Sequence, residues 1–223
     1  VPGGEVLLPG EIEERTREER LRGGIEVDET TWSKIVETCG SLGMAAGEIL
    51  VRGGVDMYVG ARMTGGKIIV EGDADSFAGQ QMVSGELVIK GNAKDYVGSS
   101  YRGDWRGMRG GTIIVEGNAG CENGEFMLGG KIHIKGSTGP FAGLHMRKGL
   151  IVVGGNAPRV GAQMQGGNIV VAGKMEKLLP GFWLEGEEEN LKIEADSFEG
   201  KYLRYSGDHA EGNVKGLLYL RKP

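Results

Sequence analysis

The stretch that decides the fold is Met63-Thr64-Gly65-Gly66-Lys67-Ile68-Ile69-Val70-Glu71-Gly72-Asp73-Ala74. It returns 19 residues later as Met82-Val83-Ser84-Gly85-Glu86-Leu87-Val88-Ile89-Lys90-Gly91-Asn92-Ala93. The pattern is Gly-x-x-Met, then a glycine pair or x-Gly, then x-aliphatic-x-aliphatic-x-Gly. Its methionines are Met44, Met63, Met82, Met108, Met127, Met146 and Met164, at steps of 19, 19, 26, 19, 19 and 18. The following glycines, from Gly47 through Gly66, Gly85, Gly111, Gly130 and Gly149 to Gly167, keep the same steps. Self-similarity at this period marks stacked repeats. Leucine-rich repeats have a similar period, but their Leu pattern and Asn position are absent.

Each unit holds one short strand: Glu48–Arg52, Lys67–Glu71, Glu86–Lys90, Thr112–Glu116, Lys131–Lys135, Leu150–Val153 and Asn168–Val171. A strand this short at this spacing leaves no room for a crossover helix, so like strands stack into a parallel sheet. The expected fold is a right-handed parallel β-helix of about seven ~19-residue coils, the handedness following the rule for parallel connections. The repeats run over 44–173, between a non-repeat N-terminal arm (1–43) and a C-terminal arm (174–223).

Alternation along the strands sorts the side chains. Ile49, Ile68, Leu87, Ile113, Ile132, Ile151 and Ile169 form one inward row, and Val51, Val70, Ile89, Val115, Ile134, Val153 and Val171 another. The methionines read as a third stacked column at a corner; no His, Cys or haem motif accompanies them. Asp73, Asn92, Asn118 and Asn156 follow the strands, where tolerance of left-handed backbone would suit them. Outward charges alternate from coil to coil, as in Glu71, Lys90, Glu116 and Lys135, and fix register.

Between these charges runs an outward row: Leu50, Ile69, Val88, Ile114, His133, Val152 and Val170. Six of its seven members are aliphatic. A bare apolar stripe of this kind must be covered, by an arm of the same chain or by a partner subunit. The six aliphatic residues are therefore candidate interface positions. The 26-residue step adds a second candidate. Its extra residues fall in Tyr96–Met108, where Arg102, Asp104, Trp105 and Arg106 form a recognition set, since Trp and Arg dominate interface hot spots. The alternative is an internally packed loop with structural Arg–Asp pairs.

The arms are less regular. Glu11–Arg22 pairs Glu and Arg at i, i+4 and favours a solvated helix. Leu178, Leu179, Pro180, Gly181, Phe182 and Trp183 could close the open end of the core, where the last strand would otherwise be an unpaired edge.

Composition narrows the function classes. Glycine is 43 of 223 residues, about 19% against a usual ~7%, but without collagen's every-third spacing. The formal net charge of −5 and the lack of a basic cluster argue against nucleic acid. No apolar run of ~18 residues suggests a membrane span, and Cys39 and Cys121 have no metal or disulfide spacing. A soluble cytoplasmic protein is expected. Chemistry is sparse. His133, His145 and His209 are isolated, Asp208-His209 is a lone adjacent pair, and no nucleophile sits beside a base. Gly66-Lys67 fails as a phosphate loop because Ala61 and Ile68 stand where Gly and Ser or Thr are needed. We expect no catalytic, cofactor or metal site in this chain.

The repeat Gly-Gly-x-Ile-x-Val-x-Gly-Asn-Ala with Gly-x-x-Met resembles the Gly-x-Gly-x-Gly β-helix of glutamate synthase C-terminal domains and of formylmethanofuran dehydrogenase C subunits. The resemblance covers about residues 25–223. Tyr96–Met108, Met57-Tyr58-Val59-Gly60 and Leu179-Pro180-Gly181-Phe182 are similar to the C subunits in particular. It implies a structural subunit of the complex that reversibly reduces CO2 and couples it to methanofuran. There, a tungsten or molybdenum pterin, iron–sulfur clusters and a dinuclear metal site belong to other subunits: pterin-binding, amidohydrolase-like and ferredoxin-like chains. The alternatives are a formyltransferase/hydrolase complex of one-carbon metabolism, a glutamate synthase-type domain, and a polysaccharide-binding or -cleaving β-helix.

Overall fold

Glycines at fixed intervals let the backbone pass close to itself. The computed structural model describes residues 47–212 and 214–222. The N-terminal arm, with Glu11–Arg22 and Cys39, lies outside the described residues, as does Met44 of the first repeat. Seven strands carry the repeat: β1 (Glu48–Val51), β2 (Thr64–Val70), β3 (Ser84–Ile89), β4 (Thr112–Val115), β5 (Leu128–Ile134), β6 (Lys148–Val153) and β7 (Gly166–Val171). Each pairs in parallel with the next, in the register that the repeat predicts. Ile68 faces Leu87, Leu87 faces Ile113, and Ile113 faces Ile132. A second line of parallel bridges, Val55 to Ala74 to Ala93, marks another side of each circuit.

Three further strands follow: β8 (Trp183–Ile193), β9 (Asp196–Ser206) and β10 (Lys215–Arg221). β10 pairs in parallel with β7, placing Leu218 beside Ile169 and Tyr219 beside Val170. β9 is antiparallel to β10 and to β8. The result is one ten-stranded, mostly parallel sheet, in the order β1-β2-β3-β4-β5-β6-β7-β10-β9-β8. Among the described residues the only helical turn is a short 3₁₀ segment at His209–Glu211. No helix among them is long and apolar enough to cross a membrane.

From β2 onward the inward rows are buried, with Ile49 and Val51 of β1 only partly so, and the methionine column is buried from Met63 to Met164. At the far end of this core Phe182 is buried and Leu179 packs against it, while Leu178 and Trp183 stay exposed. The acid–amide positions after the strands have a different role from the one expected. Asp73, Asn92, Asn118 and Asn156 are absent from the left-handed residues. Their side chains instead accept from the backbone one circuit on. Asp73 Oδ1 accepts from Asn92 N at 2.6 Å, Asn92 Oδ1 from Asn118 N at 2.9 Å, and Asn118 Oδ1 from Ser137 N at 2.8 Å. The left-handed positions fall elsewhere, on bulky residues such as Tyr58, Phe77, Tyr96, Glu122 and Phe141. The outward charge ladder forms as expected, with Lys67–Glu86 at 2.9 Å and Lys135–Glu116 at 2.8 Å. These pairs are well exposed, so water and salt screen them.

Gly130 combines both reasons for glycine. Its φ is +84°, and a Cβ there would stand 2.8 Å from Gly110 C, Gly111 O and Met108 Cε. Gly103 has φ +81° but open space around it. Gly130→Val should therefore cost about 3 kcal/mol or more, while Gly103→Ala should cost about 1 kcal/mol. Melting curves of the two variants test this: equal midpoints would refute the close-approach account.

Candidate partner interface

The outward row divides into two parts. Val152 and Val170 are buried in a second cluster with Leu150, Leu191, Ile193, Tyr202 and Tyr219, against which Phe198 and Leu217 pack. The cover there is the chain's own β8–β9 hairpin and β10. This corrects the expectation that Val152 and Val170 meet a partner. The hairpin reaches back as far as β5, where Asp196 at its tip pairs with Lys131. His133, on the same strand, is half-buried; burial lowers its pKa, and Lys135 and Lys131 reinforce the effect against Asp196.

Beyond the reach of that tip lie Leu50, Ile69, Val88 and Ile114. Leu50 is 47% exposed, and the other three are half-buried. Their neighbours along each strand point into the core, so these four point out of it. They form a strip on adjacent strands, since Leu50 faces Ile69, Ile69 faces Val88 and Val88 faces Ile114.

The inserted loop stands out from the repeat. Trp105 and Tyr101 are each 53% exposed. Asp104 is tied down internally: Arg106 Nε donates to its Oδ1 at 3.0 Å and Arg106 Nη2 to its Oδ2 at 3.1 Å. Gln81 Nε2 adds a bond to Asp104 Oδ2 at 2.9 Å and one to Arg106 O at 3.0 Å. The Arg106 fork and then Gln81 hold the Asp104 carboxyl at about 2. A lowered carboxyl pKa means the pair is fully formed above the ordinary carboxylate range and lost as pH falls through about 2. The Asp104–Arg106 half of the recognition set is thus internally satisfied. Arg102 and Trp105 are the members turned outward.

Sequence reasoning missed several participants. Two guanidinium groups lie over the Trp105 ring, Arg147 at 5.2 Å and Arg106 at 5.7 Å, and Arg62 lies over Tyr101 at 6.0 Å. Arg147 is 42 residues from Trp105 in sequence, and only the stacking of circuits brings them together. The repeat period would have placed Arg147 on the same side as Arg109, but it gave no signal for where the loop would lie. Elsewhere, Asp208 and His209 do not act as a pair. Asp208 accepts from the backbone of Gln163 and Ala210 at 3.0 and 3.1 Å, and His209 Nε2 is 2.9 Å from Ser206 Oγ and stacked on Trp183. No group of three or more His, Cys, Asp or Glu among the described residues is placed to hold a metal.

Fold and surface together define a class: an all-β scaffold of mostly parallel strands, with an apolar strip uncovered among the described residues and a protruding Trp–Arg loop. Comparisons narrow it. The C subunit of tungsten-containing formylmethanofuran dehydrogenase 2 from Methanothermobacter thermautotrophicus is 66% identical over 177 residues, 79% of this chain and 66% of that one. This chain thus spans just under two thirds of that relative's length. The protein of the same name from Methanothermobacter marburgensis is 56% identical over 45 residues, 20% of this chain and 17% of that one. Among solved structures, a chain of the formyltransferase/hydrolase complex from Methylorubrum extorquens, in complex with methylofuran, superposes with a TM-score of 0.67 at 27% identity. That match covers 79% of this chain and 71% of the other. No family model matches the chain. The chain belongs to the family of formylmethanofuran dehydrogenase C subunits.

The two halves of the outward row should respond differently to charge. Val170→Glu places an unpaired carboxylate in a closed cluster and should destabilise the free chain by about 3 kcal/mol or more. Val88→Lys with Ile114→Glu sets opposite charges side by side on an open strip and should leave the stability within about 1 kcal/mol of the parent. Equal destabilisation of the two variants in thermal melts would show that both halves are internal core.

Proposed function

We propose that this chain is the structural C subunit of a formylmethanofuran dehydrogenase, the complex that reversibly reduces CO2 and couples it to methanofuran. In this reading the repeats wind into a right-handed parallel β-helix of about seven coils, flanked by the two arms. The chain acts in the cytoplasm and contributes no catalytic group. A tungsten or molybdenum pterin, iron–sulfur clusters and a dinuclear metal site are carried by pterin-binding, ferredoxin-like and amidohydrolase-like partners. The tungsten named for the relative at 66% identity favours the tungsten form.

One observation carries the assembly role: the outward row is closed by the chain's own hairpin at one end and, among the described residues, left uncovered at Leu50, Ile69, Val88 and Ile114 at the other. Burying an aliphatic side chain contributes about 1.5–3 kcal/mol, so four in a strip supply a substantial driving force, less the ordering cost of association. Trp105 and Arg102 add a protruding anchor.

The test is native co-purification of the tagged chain, with metal analysis of what comes with it. We expect pterin-binding and amidohydrolase-like chains and tungsten or molybdenum in the recovered material. Partners without either metal would move the chain to a formyltransferase/hydrolase complex, the reading that the Methylorubrum extorquens match favours. Recovery of the chain alone would refute both. The Val88→Lys, Ile114→Glu variant should fold yet recover far less of its partners; normal recovery would remove the strip from the interface.

A further inference from the structure

A cavity of about 450 Å³ opens beneath the inserted loop. Five aromatic rings line it: Phe77, Tyr96, Tyr101, Trp105 and Phe126. Two carboxylates, Glu122 and Glu125, also line it. Neither forms an ion pair among the described residues. The one hydrogen bond recorded for the Glu125 side chain is a long one, from Ser100 Oγ at 3.4 Å. Burial, and then the charge of Glu122, raise the Glu125 pKa. Two acidic groups thus share a partly desolvated space, and neither is ion-paired among the described residues. Arg102 and Asp104 line the cavity as well; Arg102 is exposed and pairs with neither glutamate.

The repeat itself shows what is missing. Tyr58, Phe77 and Tyr96 occupy equivalent left-handed positions on successive circuits. Their rings stack at 5.2 and 4.8 Å, nearly parallel. The next equivalent position is Glu122, also left-handed at φ 55°, and the one after is Phe141. Below Phe141 the column continues with Arg159, whose guanidinium lies over the Phe141 ring at 5.2 Å. Beyond Glu122, then, a cation lies over a ring of this series. At the Tyr96 end a carboxylate stands where the next ring would be. An aromatic face is electronegative, so a carboxylate beside it is unfavourable unless a cation bridges the two.

We propose that this cavity receives one organic cation, a guanidinium or a primary ammonium, held between the aromatic walls with its charge on Glu122 and Glu125. The volume is in the range of small-ligand pockets. Trp105 and Tyr101 supply the exposed part of the wall, and Arg102, which lines the cavity too, disfavours a second cation. The cation comes from an arginine or lysine side chain of a neighbouring subunit or from a small amine. The site does not depend on the assembly reading; only the choice of source does.

The full chain is titrated with N-acetyl-arginine methylamide, N-acetyl-lysine methylamide and the uncharged N-acetyl-citrulline methylamide, read by saturation-transfer NMR on the probe. The two cationic probes should bind saturably and the citrulline compound should not. Glu122→Gln with Glu125→Gln should weaken binding by about tenfold or more, as expected for lost charge-assisted contacts. Trp105→Ser, at an exposed position outside the core, should weaken it too, and so covers the case in which the double variant melts early. Equal binding of the citrulline probe, no saturable binding of either cation, or undiminished binding to a folded double variant would each overturn the site. The double variant is then carried into co-purification. Loss of partners at moderate salt identifies a protein side chain as the source; unchanged recovery, with probe binding lost, identifies a small amine.

Discussion

The backbone of each repeat hydrogen-bonds in parallel to that of the next, and the other features of the stack depend on that pairing. Gly91 N donates to Gly72 O at 3.1 Å, Gly117 N to Gly91 O at 2.9 Å, and Gly136 N to Gly117 O at 2.9 Å. Equivalent positions therefore sit on top of one another. A side chain tolerated in one circuit is tested against its counterpart in the next, which is why the columns are so uniform: aliphatic over aliphatic, methionine over methionine, ring over ring. Where the backbones come closest, only hydrogen fits in place of Cβ.

That pairing also creates a problem at the ends of the stack, because a last strand leaves its pairing groups unfilled. At the C-terminal end the chain answers with β10, which pairs with β7 and continues both inward rows through Leu218 and Leu220. The β8–β9 hairpin then serves a second purpose. It closes the outward face over Val152 and Val170 and anchors its tip at Lys131. The hairpin's length sets the boundary between the part of the apolar row that it covers and the part left uncovered among the described residues.

The insertion obeys the same rule. Seven extra residues in one circuit leave the pairing of β3 with β4 intact, with Glu86 facing Thr112 on one side and Lys67 on the other. The excess is pushed outward. Its fixed point is Asp104, held by Arg106 and Gln81; its exposed part is Trp105, flanked by guanidinium groups. The space under it combines rings from the regular column with Glu122 and Glu125. A strict repeat thus acquires a singular site by a change in one unit.

Strands, parallel register, both inward rows and the buried methionine column are legible in the sequence, because a parallel stack superimposes residues one period apart and the period is written in the glycines. So is the outward direction of Leu50, Ile69, Val88 and Ile114, since adjacent residues in a strand face opposite sides. What covers that row is not legible: the path of β8–β9 over Val152 and Val170 depends on contacts between segments with no common period. Nor is the role of Asp73 and the Asn column as backbone acceptors in place of left-handed residues, because side-chain rotamers across circuits leave no trace in spacing. The same holds for Arg147 against Trp105 and for the carboxylates under the loop. An insertion breaks the period, and with it the rule that relates position in sequence to position in space.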